Sequence, residues 1–235
     1  MDSDLPVTHY DALAGIFAYP GPGYEAAISR TVASLAGPYP RAAQQMEAFL
    51  DQLPGCDLVV LQELHTRTFD VQAITSLDIG YTLFGEDYKR GALLANLSAE
   101  HGRAGHDCGH ELGDHLTNVL CLLPRMADAE VREDFVRLLL VPALRAMIAE
   151  FEPERMAKKE DLYRRHHKTV IESAAGDRRT AYRHALEAVA EVLREDFSLS
   201  DGESTDGESK FAGAVDSEMV IESCGTCVLN TKGVQ

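Results

Sequence analysis

Basic residues are scarce in this chain. Lysine and arginine together number 22, against 38 aspartate and glutamate residues, so the formal net charge is -16 at pH 7. Proteins that bind nucleic acid through its phosphates need clustered lysine and arginine, and this composition argues against that class of partner. A negative potential instead raises the encounter rate with cationic segments. The alternative is that the acidity serves solubility alone.

Long apolar runs are also missing. No stretch approaches the roughly 20 residues that a transmembrane helix needs, and residues 1–6 lack the basic region and apolar core of a secretory signal. The five cysteines are an odd number at irregular spacing, which argues against a disulfide framework and favours a reducing compartment. The sequence therefore predicts a soluble, cytoplasmic protein.

Strand patterns are the third feature that is scarce. Apolar residues recur almost everywhere at helical spacing rather than in alternation, so the helices must pack on one another in an all-α, single-domain bundle. Helices are predicted at 58–69, 86–101, 115–126 and 178–197, among others. Residues predicted to cap helix starts are Thr8, Asp57, Asp114 and Asp128. Pro142 is expected to divide the helix after Asp128 into two consecutive pieces, since proline inside a helix costs about 3 kcal/mol.

The composition changes after Phe197. Residues 198–209 carry four acids and no base, and a segment of such low hydrophobicity cannot offset the entropy lost on ordering. We therefore predict a helical domain at 1–197, an acidic disordered linker at 198–210 and a flexible C-terminal tail at 211–235. The tail contains Cys224 and Cys227.

Two groups of residues have side chains suited to metal or redox chemistry. The loop from 101 to 115 offers imidazole and thiol groups at His101, His106, Cys108, His110 and His115. Its spacing matches no established zinc signature. Cys224 and Cys227 are separated by two residues, as in metal-binding and redox pairs, but no second pair accompanies them.

Enzyme signatures are missing from the sequence. His115 beside Asp114 and Glu111 has the chemistry of a general base, but no serine or cysteine nucleophile motif accompanies it. A phosphate-cradling glycine loop and a dinucleotide fingerprint are also lacking. We therefore expect a protein that is not an enzyme, with a metal- or redox-active protein that uses the 101–115 loop or Cys224 and Cys227 as the alternative.

The stretch from 61 to 116 differs from a plain amphipathic helix. Aromatic residues (Phe69, Tyr81, Phe84, Tyr88) recur here between glycines at 80, 85 and 91. Aromatic side chains give large apolar contact areas, and glycines let backbones approach closely or turn. The pattern is typical of a binding groove. The alternative is a core segment with two tight helix junctions.

Three runs in this stretch resemble the NarJ-type nitrate reductase delta subunits, which belong to the TorD- and DmsD-like maturation chaperones for molybdenum enzymes. They are residues 66–70 (TRTFD), 80–91 (GYTLFGEDYKRG) and 111–116 (ELGDHL). The runs occur in that family's order and at about its spacing, and a looser likeness extends from 10 to about 150. Gly113 stands where the family commonly has proline.

The resemblance implies an all-helical cytoplasmic chaperone of the TorD-like type, without a cofactor of its own. Such proteins hold the catalytic subunit of a molybdopterin oxidoreductase, usually by its N-terminal segment, until the molybdenum cofactor and iron–sulfur cluster are in place. This would link the chain to nitrate assimilation or anaerobic respiration. The expected client-binding residues are Arg67, Phe69, Asp70, Tyr81, Phe84, Tyr88, Glu111, Asp114 and His115.

The expected site is a groove that takes one face of a client helix. Its aromatic residues would bury the apolar face of that helix, and Glu111 and Asp114 would meet its basic residues. Arg67 has the alternative role of pairing with a carboxylate to fix a helix end. A subunit that stays in the mature enzyme is a second alternative, and both a monomer and a dimer fit the sequence.

Overall fold

The computed structural model describes residues 5–53, 55, 57–167 and 176–199, and within these residues the chain is helical. The predicted all-α fold is confirmed. The residues of the predicted linker beyond Leu199 and the tail with Cys224 and Cys227 lie outside the described residues. The helices are α1 (Val7–Phe17), α2 (Tyr24–Leu35), α3 (Pro40–Gln52), α4 (Leu58–Phe69), α5 (Ile79–Phe84), α6 (Tyr88–Ala104), α7 (Leu116–Leu122), α8 (Ala129–Phe135), α9 (Val141–Ala149), α10 (Pro153–His167) and α11 (Ala181–Asp196).

The core of the bundle is built on the packing of α11 against α3, with α1 and α2 beside them. One face of α11 is buried, and so are Met46 and Phe49 of α3; that face includes Tyr182, Leu186, Val189 and Leu193. Full burial of an aliphatic or aromatic side chain contributes about 1.5 to 3 kcal/mol. No helix among the described residues combines the length and the apolar composition needed to cross a membrane.

Asp196, at the end of α11, joins the last described helix to the first part of the chain. Its carboxylate accepts hydrogen bonds from the hydroxyl of Tyr10 in α1, at 2.9 Å, and from that of Tyr39 just before α3, at 2.7 Å. Burial and the Asp196 carboxylate raise the pKa of both phenols, so both remain donors at physiological pH. The two bonds span 186 and 157 residues of sequence.

Two of the predicted caps are confirmed and two are wrong. Asp57 accepts a hydrogen bond from Val59 N, and Asp128 caps α8. Thr8 lies inside α1, which begins at Val7 directly after Pro6. Asp114 does not cap α7, since His115 precedes that helix and the Asp114 side chain is directed elsewhere.

The region around Pro142 stays helical, although its backbone geometry changes. Five residues, Val136–Leu140, form a π-helical turn between α8 and α9, and Val141 N bonds to Val136 O. Pro142 is then the second residue of α9. A wider turn relieves the clash between a proline ring and the carbonyl four residues earlier. The predicted division of the helix near Pro142 therefore takes the form of a π turn between α8 and α9.

Candidate functional site

Two of the three runs that carry the resemblance lie side by side. Ile79 N donates to Asp114 O at 2.9 Å, and Leu116 N donates to Leu77 O at 2.8 Å. These bonds frame an isolated antiparallel bridge between Asp78 and His115. The bridge fixes the start of α5 against the start of α7, so the aromatic run and the 111–116 run form one unit.

A half-buried arginine of the 80–91 run, Arg90, binds the carboxylates of Asp78 and Asp114 on the two sides of the bridge. Arg90 of α6 donates from Nε to Asp114 at 3.0 Å and from Nη2 to Asp78 at 2.8 Å. The Asp114 side chain is 0% exposed, and its Oδ1 has no hydrogen-bond partner among the residues that the structure describes. Burial and the charge of Asp114 raise the pKa of Asp78. Burial lowers the pKa of Arg90, but the bonds and charges of Asp114 and Asp78 raise it further, so the net shift is upward.

Gly80 makes room for this ion-pair network. A Cβ atom at position 80 would lie 2.7 Å from Asp114 Oδ2 and 3.1 Å from Leu93 Cδ2. Real Cβ atoms do not approach other atoms so closely, so a side chain here would displace the carboxylate. The glycine in this run is thus explained by close packing against a buried acid.

The aromatic residues of the run lie at the surface beside the network. Tyr81 is 45% exposed and Tyr88 58% exposed, whereas Phe84 is half-buried. The Arg90 guanidinium carbon lies 5.4 Å from the centroid of the Tyr81 ring, within cation–π range. Gly85, with φ of 62°, turns the chain between α5 and α6. The exposed Tyr81 ring thus lies against an arginine that is itself held by two ion pairs.

The 66–70 run is mostly structural in its contacts. Phe69 is 8% exposed, and its ring centroid lies 4.8 Å from that of Tyr182 in the core. Arg67 donates to the side-chain oxygen of Gln72 at 3.1 Å. Asp70 is exposed at the end of α4. Of the three predicted contact residues in this run, Asp70 is therefore the most accessible to a partner.

Glu111 and His115 of the third run differ in exposure. Glu111 is exposed and His115 half-buried, with Nδ1 of His115 hydrogen-bonded to the hydroxyl of Thr117. Burial lowers the pKa of His65 in α4, and the charges of Asp70 and Glu111 partly oppose that shift.

The loop between α6 and α7 is organised around Asn118. The side-chain amide of Asn118 donates to the carbonyl oxygens of Cys108, Glu111 and Leu112, at 2.9 to 3.4 Å. His101 Nε2 lies 3.0 Å from Gly113 O, and a Cβ atom at Gly113 would lie 3.3 Å from the His101 ring. Glycine at this position therefore accommodates a buried histidine ring.

Three residues that interact with predicted site residues are not themselves predicted from the sequence. Arg90 and Asp78 anchor the site, but the sequence does not predict either as a site residue. The pairing of Arg90 with Asp78 and Asp114 depends on a chain reversal that hydrophobic periodicity does not reveal. The available signal was Arg90 itself, a basic residue in a run whose other charges include Glu86 and Asp87. His65 carried no local signal of burial.

Comparison with known proteins found no family model and no curated protein that matches this chain. The resemblance to NarJ-type proteins thus rests on the three runs quoted above. Two of these runs are joined by the bridge and the Arg90 ion pairs.

Proposed function

We propose that this chain is a cytoplasmic assembly chaperone that binds the catalytic subunit of a nitrate reductase-like molybdopterin oxidoreductase by its N-terminal segment. The observation that carries the proposal is the exposure of Tyr81 and Tyr88 in one of the three runs that resemble the NarJ-type proteins. Large aromatic side chains held at a surface are typical of binding hot spots.

Binding would bury the exposed tyrosines and the half-buried Phe84 against the apolar face of a client helix. Burial of apolar area contributes about 25 cal/mol per Å², and a tyrosine loses little conformational entropy because it has only two χ angles. Arg90 lies against the Tyr81 ring, a contact that would favour one orientation of this ring before the client binds. Preorganisation of this kind lowers the cost of association.

Exposed acidic residues of the three runs would select basic residues of the client. Glu86, Asp87 and Glu111 are exposed, and so is Asp70. Asp114 is fully buried, so in this proposal it positions Arg90 and does not touch the client. Phe69, also buried, supports α4 from the core. Charge complementarity of this type contributes to specificity and association rate.

The chaperone in this proposal makes and breaks no covalent bond. It prevents the client from folding prematurely by binding its N-terminal segment while the molybdenum cofactor and iron–sulfur cluster are inserted. It then dissociates. A permanent subunit of the mature enzyme would use the same surface and remain bound. The cofactor content of the bound partner distinguishes these two functions.

The deciding experiment is capture of partners from the native host with the full chain as bait, followed by metal analysis of the captured protein. We expect a molybdopterin-enzyme catalytic subunit that lacks molybdenum. Recovery of that subunit with its full cofactor content and at fixed stoichiometry would overturn the chaperone proposal in favour of a permanent subunit. Recovery of no molybdoenzyme would overturn both.

Replacement of Tyr81 and Tyr88 by alanine tests the surface directly. Truncation of a hot-spot tyrosine costs about 2 kcal/mol, so we expect the double variant to bind the client more than about tenfold more weakly. The matched control is Leu162→Ala in α10, which truncates a side chain that is 57% exposed. The proposed surface is wrong if the control loses as much affinity as the double variant.

A further inference from the structure

We propose that His101, His106 and Cys108 form a zinc site at the C-terminal end of α6. One ligand atom of each residue, a ring nitrogen or the sulfur, lies within 4.8 Å of those of the other two. Ligand atoms around a tetrahedral zinc are separated by about 3.3 to 3.8 Å, as follows from zinc–nitrogen and zinc–sulfur bond lengths. Small side-chain rotations would therefore close the cluster onto an ion. This proposal is independent of the chaperone proposal.

The backbone brings the three residues together by ending α6 and reversing. Gly105 adopts a left-handed conformation with φ of 63° after Ala104, and His106 N donates to His101 O at 3.0 Å. The two imidazole rings then face each other, with centroids 5.2 Å apart and planes inclined by 36°. Cys108 follows two residues later and is half-buried.

The hydrogen bonds of His101 leave its other nitrogen ready to bind a metal. A carbonyl oxygen only accepts, so Nε2 of His101 carries the proton that it donates to Gly113 O. The lone pair of the neutral ring is therefore on Nδ1. His101 is 3% exposed, and Nδ1 is buried with no hydrogen-bond partner in the described part of the chain. An unsatisfied buried acceptor is costly in a folded protein, and metal coordination would satisfy it.

His106 is oriented in the same way. The amide nitrogen of Asn118 is used by loop carbonyls, so its Oδ1 is the atom that faces His106 Nε2, at 3.3 Å. Oδ1 accepts, which places the proton on Nε2 and the lone pair on Nδ1. Histidines that bind metals usually donate their second N–H to a carbonyl or carboxylate oxygen. Both histidines have that partner without a metal.

The donor set selects a borderline-soft transition metal over magnesium or calcium. Two imidazoles and one thiol match zinc, whereas magnesium and calcium require oxygen ligands. The last carbonyls of the 17-residue α6 carry partial negative charge, which also favours a cation here. On binding, the Cys108 thiol would release its proton to solvent and coordinate as thiolate. Three protein ligands leave the fourth position for water or another ligand.

The test is metal binding by the full chain carrying Cys224→Ser and Cys227→Ser, which removes the tail cysteines as competing ligands. Zinc is titrated against a chromophoric chelator, and cobalt is used to report thiolate coordination by its charge-transfer band. We expect one equivalent of zinc and a thiolate-to-cobalt band. Cys108→Ser should abolish the band, and His106→Gln should weaken zinc binding more than about tenfold, since loss of outer-sphere partners alone costs about 10- to 100-fold.

His110→Gln is the matched control, because His110 belongs to the same loop and is exposed outside the cluster. We expect this variant to bind zinc and cobalt with the same affinity and stoichiometry as the chain that carries only Cys224→Ser and Cys227→Ser. The circular dichroism of every variant is compared to exclude loss of fold. Absence of stoichiometric zinc, binding that survives both Cys108→Ser and His106→Gln, or equal loss in His110→Gln would overturn the proposal.

Discussion

Gly80 lacks a side chain where the Asp114 carboxylate packs against α5. The space is filled by a carboxylate that is itself bonded to Arg90, so the three residues depend on one another for their positions. Tyr81 follows Gly80 directly and lies against Arg90. A side chain at position 80 would therefore displace Asp114 and Arg90, and with them the contact of Arg90 with the exposed Tyr81 ring.

We predict that Gly80→Ala lowers the free energy of unfolding by about 1 to 3 kcal/mol, the usual cost of overpacking a filled site. Gly91→Ala is its control, because Gly91 lies in α6 and a Cβ atom there would meet nothing within 4 Å outside its own stretch of helix. That substitution should be neutral or stabilise by up to about 1 kcal/mol. Urea denaturation measures both, and equal effects would show that the packing at Gly80 is not the cause.

Single residues differ in how far the sequence predicts their positions. An exposed Tyr81 or Tyr88 fits the predicted binding surface. The burial of Asp114 and Phe69 could not be predicted, since it depends on partners that are distant in sequence. Arg90 is 24 residues from Asp114, and Tyr182 comes from α11. Residues with local determinants were therefore predicted better than residues with distant partners.

Among the helices, α8 has the clearest start signal. Oδ1 of Asp128 accepts hydrogen bonds from Glu130 N at 3.0 Å and Val131 N at 3.1 Å. These are two of the N–H groups that a helix start leaves without intrahelical partners. The cap also fixes where the chain enters the long helical segment that continues through the π turn into α9.

We predict that Asp128→Ala destabilises the protein by about 1 kcal/mol, the common cost of losing an N-cap. Asp134→Ala removes the same charge from an exposed position inside the helical segment, where alanine has a higher intrinsic helix propensity than aspartate. It should be neutral or slightly stabilising. Thermal unfolding of the two variants compares them, and similar melting temperatures would contradict a capping role.

Helix positions were predictable where local chemistry decided them. The bounds of α4 were predicted to the residue from Asp57 and the apolar spacing. The start of α7 was predicted to within one residue, but its predicted cap was wrong, because the Asp114 carboxylate is bonded to Arg90. The π turn before Pro142 was not predicted, since proline indicates a disturbance of a helix without specifying how the backbone absorbs it.

At the scale of the molecule, the net charge of -16 creates a field that a cationic client would meet before contact. Such fields speed association when ionic strength is low, and they are screened within about 10 Å at 0.1 M salt. If the proposed client segment is basic, its association rate should depend on both salt and the acids near the tyrosines.

We predict that Glu86→Gln with Glu111→Gln slows association of the client's N-terminal segment and reduces the dependence of its rate on salt. Glu130→Gln with Asp134→Asn changes the net charge equally at exposed positions of α8 and should have a smaller effect. Stopped-flow measurement at several salt concentrations tests this. Identical rates for the two double variants would mean that only the total charge matters.

The bonds from Tyr10 and Tyr39 to Asp196 have a consequence for the order of folding. They close loops of 186 and 157 residues, and closure of long loops is entropically costly and slow. During synthesis, α1, α2 and α3 emerge long before α11 is available to cover Met46 and Phe49. The nascent bundle therefore exposes this apolar face until its last described helix has been made, and is itself vulnerable to aggregation over that interval.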